Sequence, residues 1–209
     1  MQGRFIVLEG VDGAGTTTQA SMLAEALRAK SFPVLLTCEP SSGPVGALLR
    51  QALSGRLVSM GFGGSRALHW QTMALLFAAD RVDHLENQIV PNLRDGITVV
   101  CDRYDYSSVA YQSLTSGLGD EVVPWIREVN RHALRPDLTI VLNTSFEVAQ
   151  ARRDIRGNIE IFDEDDLQKH LGEFYAGLER HFPQDRIVHI NADGDANEVA
   201  SAVFSAVQE

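Results

Sequence analysis

The sequence predicts an α/β domain built on a five-stranded parallel sheet, with helices on both faces. Three observations predict it. Apolar runs alternate with helical patterns along the whole chain, as in successive βαβ units. The run Ile97-Thr98-Val99-Val100-Cys101 is almost continuously apolar, as a strand covered on both faces is. The first run, Phe5-Ile6-Val7-Leu8, passes through a glycine-rich turn straight into a helical pattern at Met22, Leu23, Ala26 and Leu27.

Taken in order, residues 5–8 form the first strand and 16–30 the first helix. Residues 33–37 form the second strand, which ends at Cys38-Glu39-Pro40, and Ser41-Ser42-Gly43-Pro44 follows as a turn. A short helix covers 45–53, and 54–64, with four glycines, reads as a loop. Apolar spacing through Leu68, Met73, Leu76, Phe77, Val82, Leu85, Ile89 and Leu93 predicts one long helix over 65–94, stopped by Gly96. The third strand, 97–101, ends in Asp102-Arg103-Tyr104, and helices over 107–114 and 121–133 follow it. A fourth strand over 138–142 leads to a helix over 146–155 and a charged, glycine-containing stretch over 152–166. An amphipathic helix through Leu167, Leu171, Phe174, Tyr175 and Leu178, a strand over 186–190 and a helix over 196–207 complete the chain. We find no linker, so residues 1–209 are expected to form a single domain.

Composition narrows the function. A net charge of −10 argues against non-specific binding to nucleic acid or to an anionic membrane. No apolar run approaches the roughly 18 residues of a membrane span, and no signal peptide fits. Cys38 and Cys101 lack metal-ligand spacing and read as reduced thiols of a cytoplasmic protein. The histidines are scattered and read as surface or structural.

The stretch from Glu9 to Gln19 has the spacing of the phosphate-binding loop, G-x-x-x-x-G-K-[ST], with Thr16 where the motif has lysine. Gly10, Val11, Asp12, Gly13, Ala14, Gly15, Thr16, Thr17 and Thr18 are thus the candidate ATP-binding residues. Backbone N–H groups at such a helix start, together with the helix dipole, favour a phosphate. A glycine-rich turn without a ligand fits the same residues. Thr17 holds the hydroxyl position that would reach Mg²⁺, and Asp102 ends a strand where an acid would help hold that ion or simply make a solvated turn. Arg103 would then point into the same crevice and grip phosphate.

Phe77 and Arg81 share a helix face and suit a base and a carbonyl at its edge. They equally suit a core phenylalanine and an arginine paired near Asp80 or with Asp83. Ser107, Ser108, Tyr111 and Gln112 suit a pyrimidine edge and a sugar, or an ordinary polar helix face. Arg152, Arg153 and Arg156 form the densest basic patch of an acidic chain, either a lid over a triphosphate or a solvated helix end.

In this order and spacing the sequence resembles the thymidylate kinase family, the dTMP kinases among the P-loop nucleoside-monophosphate kinases, over essentially the whole chain. The segments that carry the resemblance are 8–15, Thr37-Cys38-Glu39-Pro40, 75–81, Asp102-Arg103-Tyr104 with Ser107-Ser108 and Ala110-Tyr111-Gln112, and 135–139. The resemblance implies a P-loop NTPase-type fold and transfer of a phosphoryl group from ATP, with Mg²⁺, to dTMP in dTTP biosynthesis. It implies that Phe77 stacks on thymine and that Arg81 bonds its O4. Ser108 would face the pyrimidine edge, and Tyr111 would disfavour a 2′-hydroxyl. Arg103 would hold the dTMP phosphate, and Asp12 would lie near the sugar and the metal. Glu39 and Pro40 would border the base pocket, a lid over about 152–166 would cover ATP, and a homodimer would pack through the helix carrying Phe77.

The departures fall in the phosphoryl-transfer machinery. Thr16 replaces lysine, Cys38 replaces an arginine before Glu-Pro, and Glu160-Ile161-Phe162-Asp163 lacks the lid segment's arginine. Three readings follow: a dTMP kinase in which Arg152, Arg153 or Arg156 replaces the lost charge, a nucleotide-binding pseudokinase, or a kinase for another pyrimidine deoxynucleoside monophosphate.

Overall fold

Strand β1 (Phe5–Gly10) is buried along its whole length, including the charged Glu9. The reason is its place at the middle of the sheet. The computed structural model, which describes residues 3–156, 162 and 164–208, sets β1 between β5 (Thr98–Asp102) and β6 (Leu138–Asn143). With β2 (Val34–Cys38) and β7 (Ile187–Asn191) at the edges, the order is β2-β5-β1-β6-β7, and every pairing is parallel. This is the five-stranded parallel sheet that the apolar runs predict. The edge strands are only half-buried, because each lacks a neighbour on one side.

Helices α1 (Thr16–Ala29) and α9 (Ala196–Gln208) pack on each other and on the sheet, and α5 (Asp105–Thr115) and α8 (Asp165–Ala176) form a second such layer. Burying both faces explains why the central strands are apolar without alternation. None of the described helices is long and apolar enough to cross a membrane.

Three details differ from the sequence reading. The stretch expected as a loop contains a short antiparallel hairpin, β3 (Ser59–Gly61) with β4 (Gly64–Arg66), turning at Phe62-Gly63. That hairpin takes up the start of the expected long helix, so α3 runs only from Trp70 to His84. A wide π turn, Leu85–Ile89, then leads into α4 (Val90–Arg94). Pro91 follows this turn; it has no N–H to donate to the preceding turn, and a locally widened helix makes room for its ring. The helix expected over 121–133 is a 3₁₀ turn, Gly119–Val122, followed by α6 (Val123–Val129). The remaining helices are α2 (Pro44–Leu53) and α7 (Phe146–Arg156).

Candidate active site

The carboxyl ends of β1, β2 and β5 open onto one cavity of about 650 Å³, where ligands of such sheets sit. Its walls are the glycine loop (Asp12, Gly13, Gly15 to Thr18), Cys38 to Pro40, Arg50 and Leu53 of α2, and Phe77 and Arg81 of α3. Asp102 to Tyr104, Ser107, Ser108, Tyr111 and Gln112 face these, and Arg152 and Phe162 close one side. Most sequence candidates are therefore brought together. Gly10, Val11 and Ala14 shape the loop without lining the cavity; Val11 and Ala14 are buried beneath it.

The loop needs its glycines for two different reasons. At Gly13, φ is +91° and a β-carbon would lie 2.3 Å from the Ala149 carbonyl oxygen of α7. At Gly15, φ is +94° and the space beside the α-carbon is open, so the backbone faces the cavity unobstructed. Helix α1 begins at Thr16 with no side-chain cap and no acid in its first turn. Its N–H groups and dipole are left for an anion.

The Thr17 hydroxyl donates to Asp102 Oδ2 at 2.5 Å. Asp102 is 8 % exposed, and its other carboxylate oxygen is buried without a hydrogen-bond partner. Such an orphaned oxygen is costly unless something else meets it. Among the described residues no cluster of three or more His, Cys, Asp or Glu could hold a metal.

Arg103 has φ +68°, a left-handed backbone conformation that costs a non-glycine residue roughly 1–2 kcal/mol. The turn sends its guanidinium back over the loop. There it donates to the Gly10 carbonyl at 3.0 Å, to Ser107 Oγ at 3.3 Å and to Asp12 Oδ1 at 2.6 Å. Asp12 also accepts from Tyr111 at 2.8 Å and from Gln168 Nε2 at 3.0 Å. Burial holds the Tyr111 and Tyr175 phenols well above their usual pKa, so both remain neutral donors.

Arg81 is 2 % exposed and pairs with neither Asp80 nor Asp83. Its partner is Glu39: Nε donates to Oε2 at 2.9 Å, and Nη2 lies 2.7 Å from the same oxygen. Further donations reach Asn130 Oδ1 and Ser108 Oγ, the latter at 3.1 Å. His84 sits against the other Glu39 oxygen at 3.3 Å. Glu39 thus orients Arg81 from behind. Beside them Phe77 is half-buried at the wall, and Gln112, 1 % exposed, has neither amide atom hydrogen-bonded. Cys38 is a free thiol whose pKa is raised by burial and by Asp102, so it stays a neutral S–H.

The adjacent arginines of α7 divide. Arg152 lines the cavity and donates to the Ala192 carbonyl at 3.0 Å, with longer contacts to the Gly13 and Ala14 carbonyls. Arg153 does not line it: it donates to the Asp12 carbonyl at 3.0 Å and lies 3.6 Å from Asp165. The Arg156 side chain, and the lid segment 157–161 with Asp163, lie outside the described residues.

Sequence reasoning missed Arg50, Asn130 and Glu9. Arg50 bonds the Pro40 and Ser41 carbonyls and faces the cavity from α2; one arginine on a short helix carries no pattern. Asn130 resembles any helix-ending asparagine. Glu9 gave a signal that could have been used, an acid extending a run of apolar residues in a strand buried on both faces. Burial away from water raises its pKa from 4.5 to about 7, outweighing Arg103 and the hydrogen bonds from Ser107, Tyr104 and Tyr175. Between those values the folded protein holds the Glu9 proton more tightly than the unfolded chain. Its contribution to stability is full below about 4.5 and is lost as pH rises towards 7, on the order of 3 kcal/mol. Replacing it with Gln is therefore expected to give a stability advantage that grows between about pH 5 and about pH 8 in urea denaturation. An advantage that stays constant with pH would contradict this.

Comparison with known proteins gives a consistent match. The family model described as thymidylate kinase covers residues 8–203. A probable thymidylate kinase of Pyrococcus horikoshii is 41% identical over 100% of this chain and 97% of its own length. One from Thermococcus onnurineus is 40% identical over 98% of this chain and 97% of its own. A thymidylate kinase of Caldicellulosiruptor saccharolyticus is 33% identical over 100% of this chain and 98% of its own. With the P-loop-type sheet, the glycine loop and the Asp102-Arg103-Tyr104 turn in one frame, and matches along almost its full length, the chain belongs to the thymidylate kinase family.

Proposed function

We propose that the chain is a dTMP kinase that transfers the γ-phosphoryl group of ATP to dTMP, giving dTDP and ADP on the way to dTTP. The observation that carries this is one cavity joining an uncapped helix N-terminus to the orphaned Gln112 amide, with Phe77 and Arg81 alongside. The first suits phosphate. The second offers a donor and an acceptor beside an aromatic ring, which is what a pyrimidine edge and face require. Arg81 is donor-only, so it favours the O4 carbonyl of thymine over the amino group of cytosine.

The lost lysine charge is replaced from elsewhere. Arg103 and Arg50 hold the dTMP phosphate, and Arg152 supplies charge at the ATP phosphates. Arg153, bonded to the Asp12 carbonyl, supports the glycine loop rather than the phosphates. Asp12 and Tyr111 lie by the deoxyribose, with Ser107, Ser108 and Pro40 around the base. The residues present also fit Mg²⁺: Asp102 has a buried oxygen without a partner, and the Thr17 hydroxyl lies against the same carboxylate. Thr17 and Asp102 would hold the ion, which when bound neutralises charge on the β- and γ-phosphates. A dTMP phosphate oxygen attacks the γ-phosphorus in line; one P–O bond forms, and the bond to the β-phosphate oxygen breaks as ADP leaves. No side-chain nucleophile is needed, and the protein contributes position and charge.

The kinase acts as a single domain with its lid over about 152–166, in the cytoplasm and as a homodimer. In support of the dimer, Leu75, Ala79 and Val82 form one exposed stripe on α3, with Leu75 and Val82 each 51 % exposed.

Pure protein with Mg-ATP and a panel of dTMP, dUMP and dCMP tests the reading. The expected main product is dTDP, and Gln112→Leu is expected to lower kcat/KM for dTMP by about 10–100-fold. Nucleotide binding by calorimetry without any dTDP would instead support a pseudokinase, the reading that Thr16 favours. A preference for dUMP would move the acceptor.

A further inference from the structure

Glu9 takes none of the roles above, yet it accepts four hydrogen bonds behind the site. It is fully buried at the end of β1 and does not line the cavity. Its Oε1 accepts the Tyr104 N–H at 2.8 Å and the Ser107 N–H at 3.4 Å. Its Oε2 accepts the Ser107 hydroxyl at 2.7 Å and the Tyr175 hydroxyl at 3.0 Å.

These partners have one thing in common. Tyr104 precedes the first turn of α5, and that helix has no side-chain cap of its own. Glu9 therefore caps α5 from another strand, meeting N–H groups that would otherwise be orphaned. The turn it clamps carries Arg103 in its left-handed conformation. The Ser107 hydroxyl it fixes is the one on which Arg103 Nη1 rests at 3.3 Å. A carboxyl without water is costly to keep in a strand, and a simple core position would hold an apolar residue there.

We infer that Glu9 is the positioning residue for Arg103: one carboxyl oxygen holds the strained turn from behind, and the other aims the guanidinium through Ser107. This rests on the reading that Arg103 grips the acceptor phosphate.

The test compares wild type, Glu9→Ala, Glu9→Leu, Glu9→Gln and Arg103→Ala by two readouts: dTMP affinity by calorimetry, and amide hydrogen exchange over residues 102–108. Glu9→Ala, and the volume-keeping Glu9→Leu, should weaken dTMP about tenfold or more while leaving ATP affinity within about twofold. Both should raise exchange in the turn. Glu9→Gln keeps an acceptor for the Tyr104 N–H and should restore both readouts most of the way. Unchanged dTMP affinity or unchanged exchange in the Ala and Leu variants would overturn the inference, as would equal weakening of ATP and dTMP. If Arg103→Ala binds dTMP as wild type does, the phosphate role of Arg103 fails, while the exchange data still decide whether Glu9 holds the turn.

Discussion

Replacing Arg103 by alanine is expected to lower kcat/KM for dTMP by about 10²–10³-fold, equivalent to roughly 3–4 kcal/mol of transition-state stabilisation. The structure explains why one side chain should matter so much. The guanidinium is fixed by the Gly10 carbonyl, Ser107 and Asp12, and the chain accepts a left-handed residue to aim it. Strain of that kind persists only where the surroundings enforce it. The variant should still fold, because Asp12 keeps its bonds from Tyr111 and Gln168. Arg103→Gly is the useful companion. It removes the same guanidinium but relieves the left-handed backbone, so it should lose as much activity while melting no lower than the alanine variant. Steady-state rates against dTMP concentration check this, and a loss smaller than about threefold would contradict it.

Arg81→Met is expected to be the most destabilising single change in the base-facing wall, by roughly 3–5 kcal/mol. The cost is not the lost pair but the buried Glu39 carboxylate left behind. Glu39 is 5 % exposed, and the pair sits among Asn130, Ser108 and His84 with little access to water. Neutralising Glu39 in the same chain should therefore recover part of the loss. The double variant Arg81→Met with Glu39→Gln is expected to be more stable than Arg81→Met alone, by urea denaturation at one pH. A double variant that is no more stable would mean that Glu39 carries no uncompensated charge in the single variant. Either variant should also lose discrimination between dTMP and dCMP, because the donor at the base edge is gone.

The five strands and the site at their carboxyl ends follow from features that a sequence displays, whereas the order β2-β5-β1-β6-β7 comes from the structure. Apolar runs marked all five strands of the parallel sheet, and the glycine spacing marked the loop. What stayed hidden depended on tertiary partners. The Phe77 and Arg81 spacing placed both on one face, but only the tertiary structure reveals that Glu39, just past β2, and Asn130, just past α6, hold the arginine. Nothing local distinguishes Arg152 from Arg153. A helix turns adjacent residues about 100° apart, so one reaches the cavity and the other the Asp12 carbonyl. The hairpin over 59–66 was obscured by its glycines, which suit a loop as well as a turn.

The central claim is that phosphoryl transfer survives the loss of the loop lysine because arginines around the cavity supply its charge. The most direct measurement is coupled ADP release with dTMP and Mg-ATP for wild type, Arg152→Ala and Thr16→Lys. The account predicts turnover by wild type, a fall of about 10²-fold or more in Arg152→Ala and no requirement for lysine at position 16. A silent wild type that gains activity only as Thr16→Lys would contradict it.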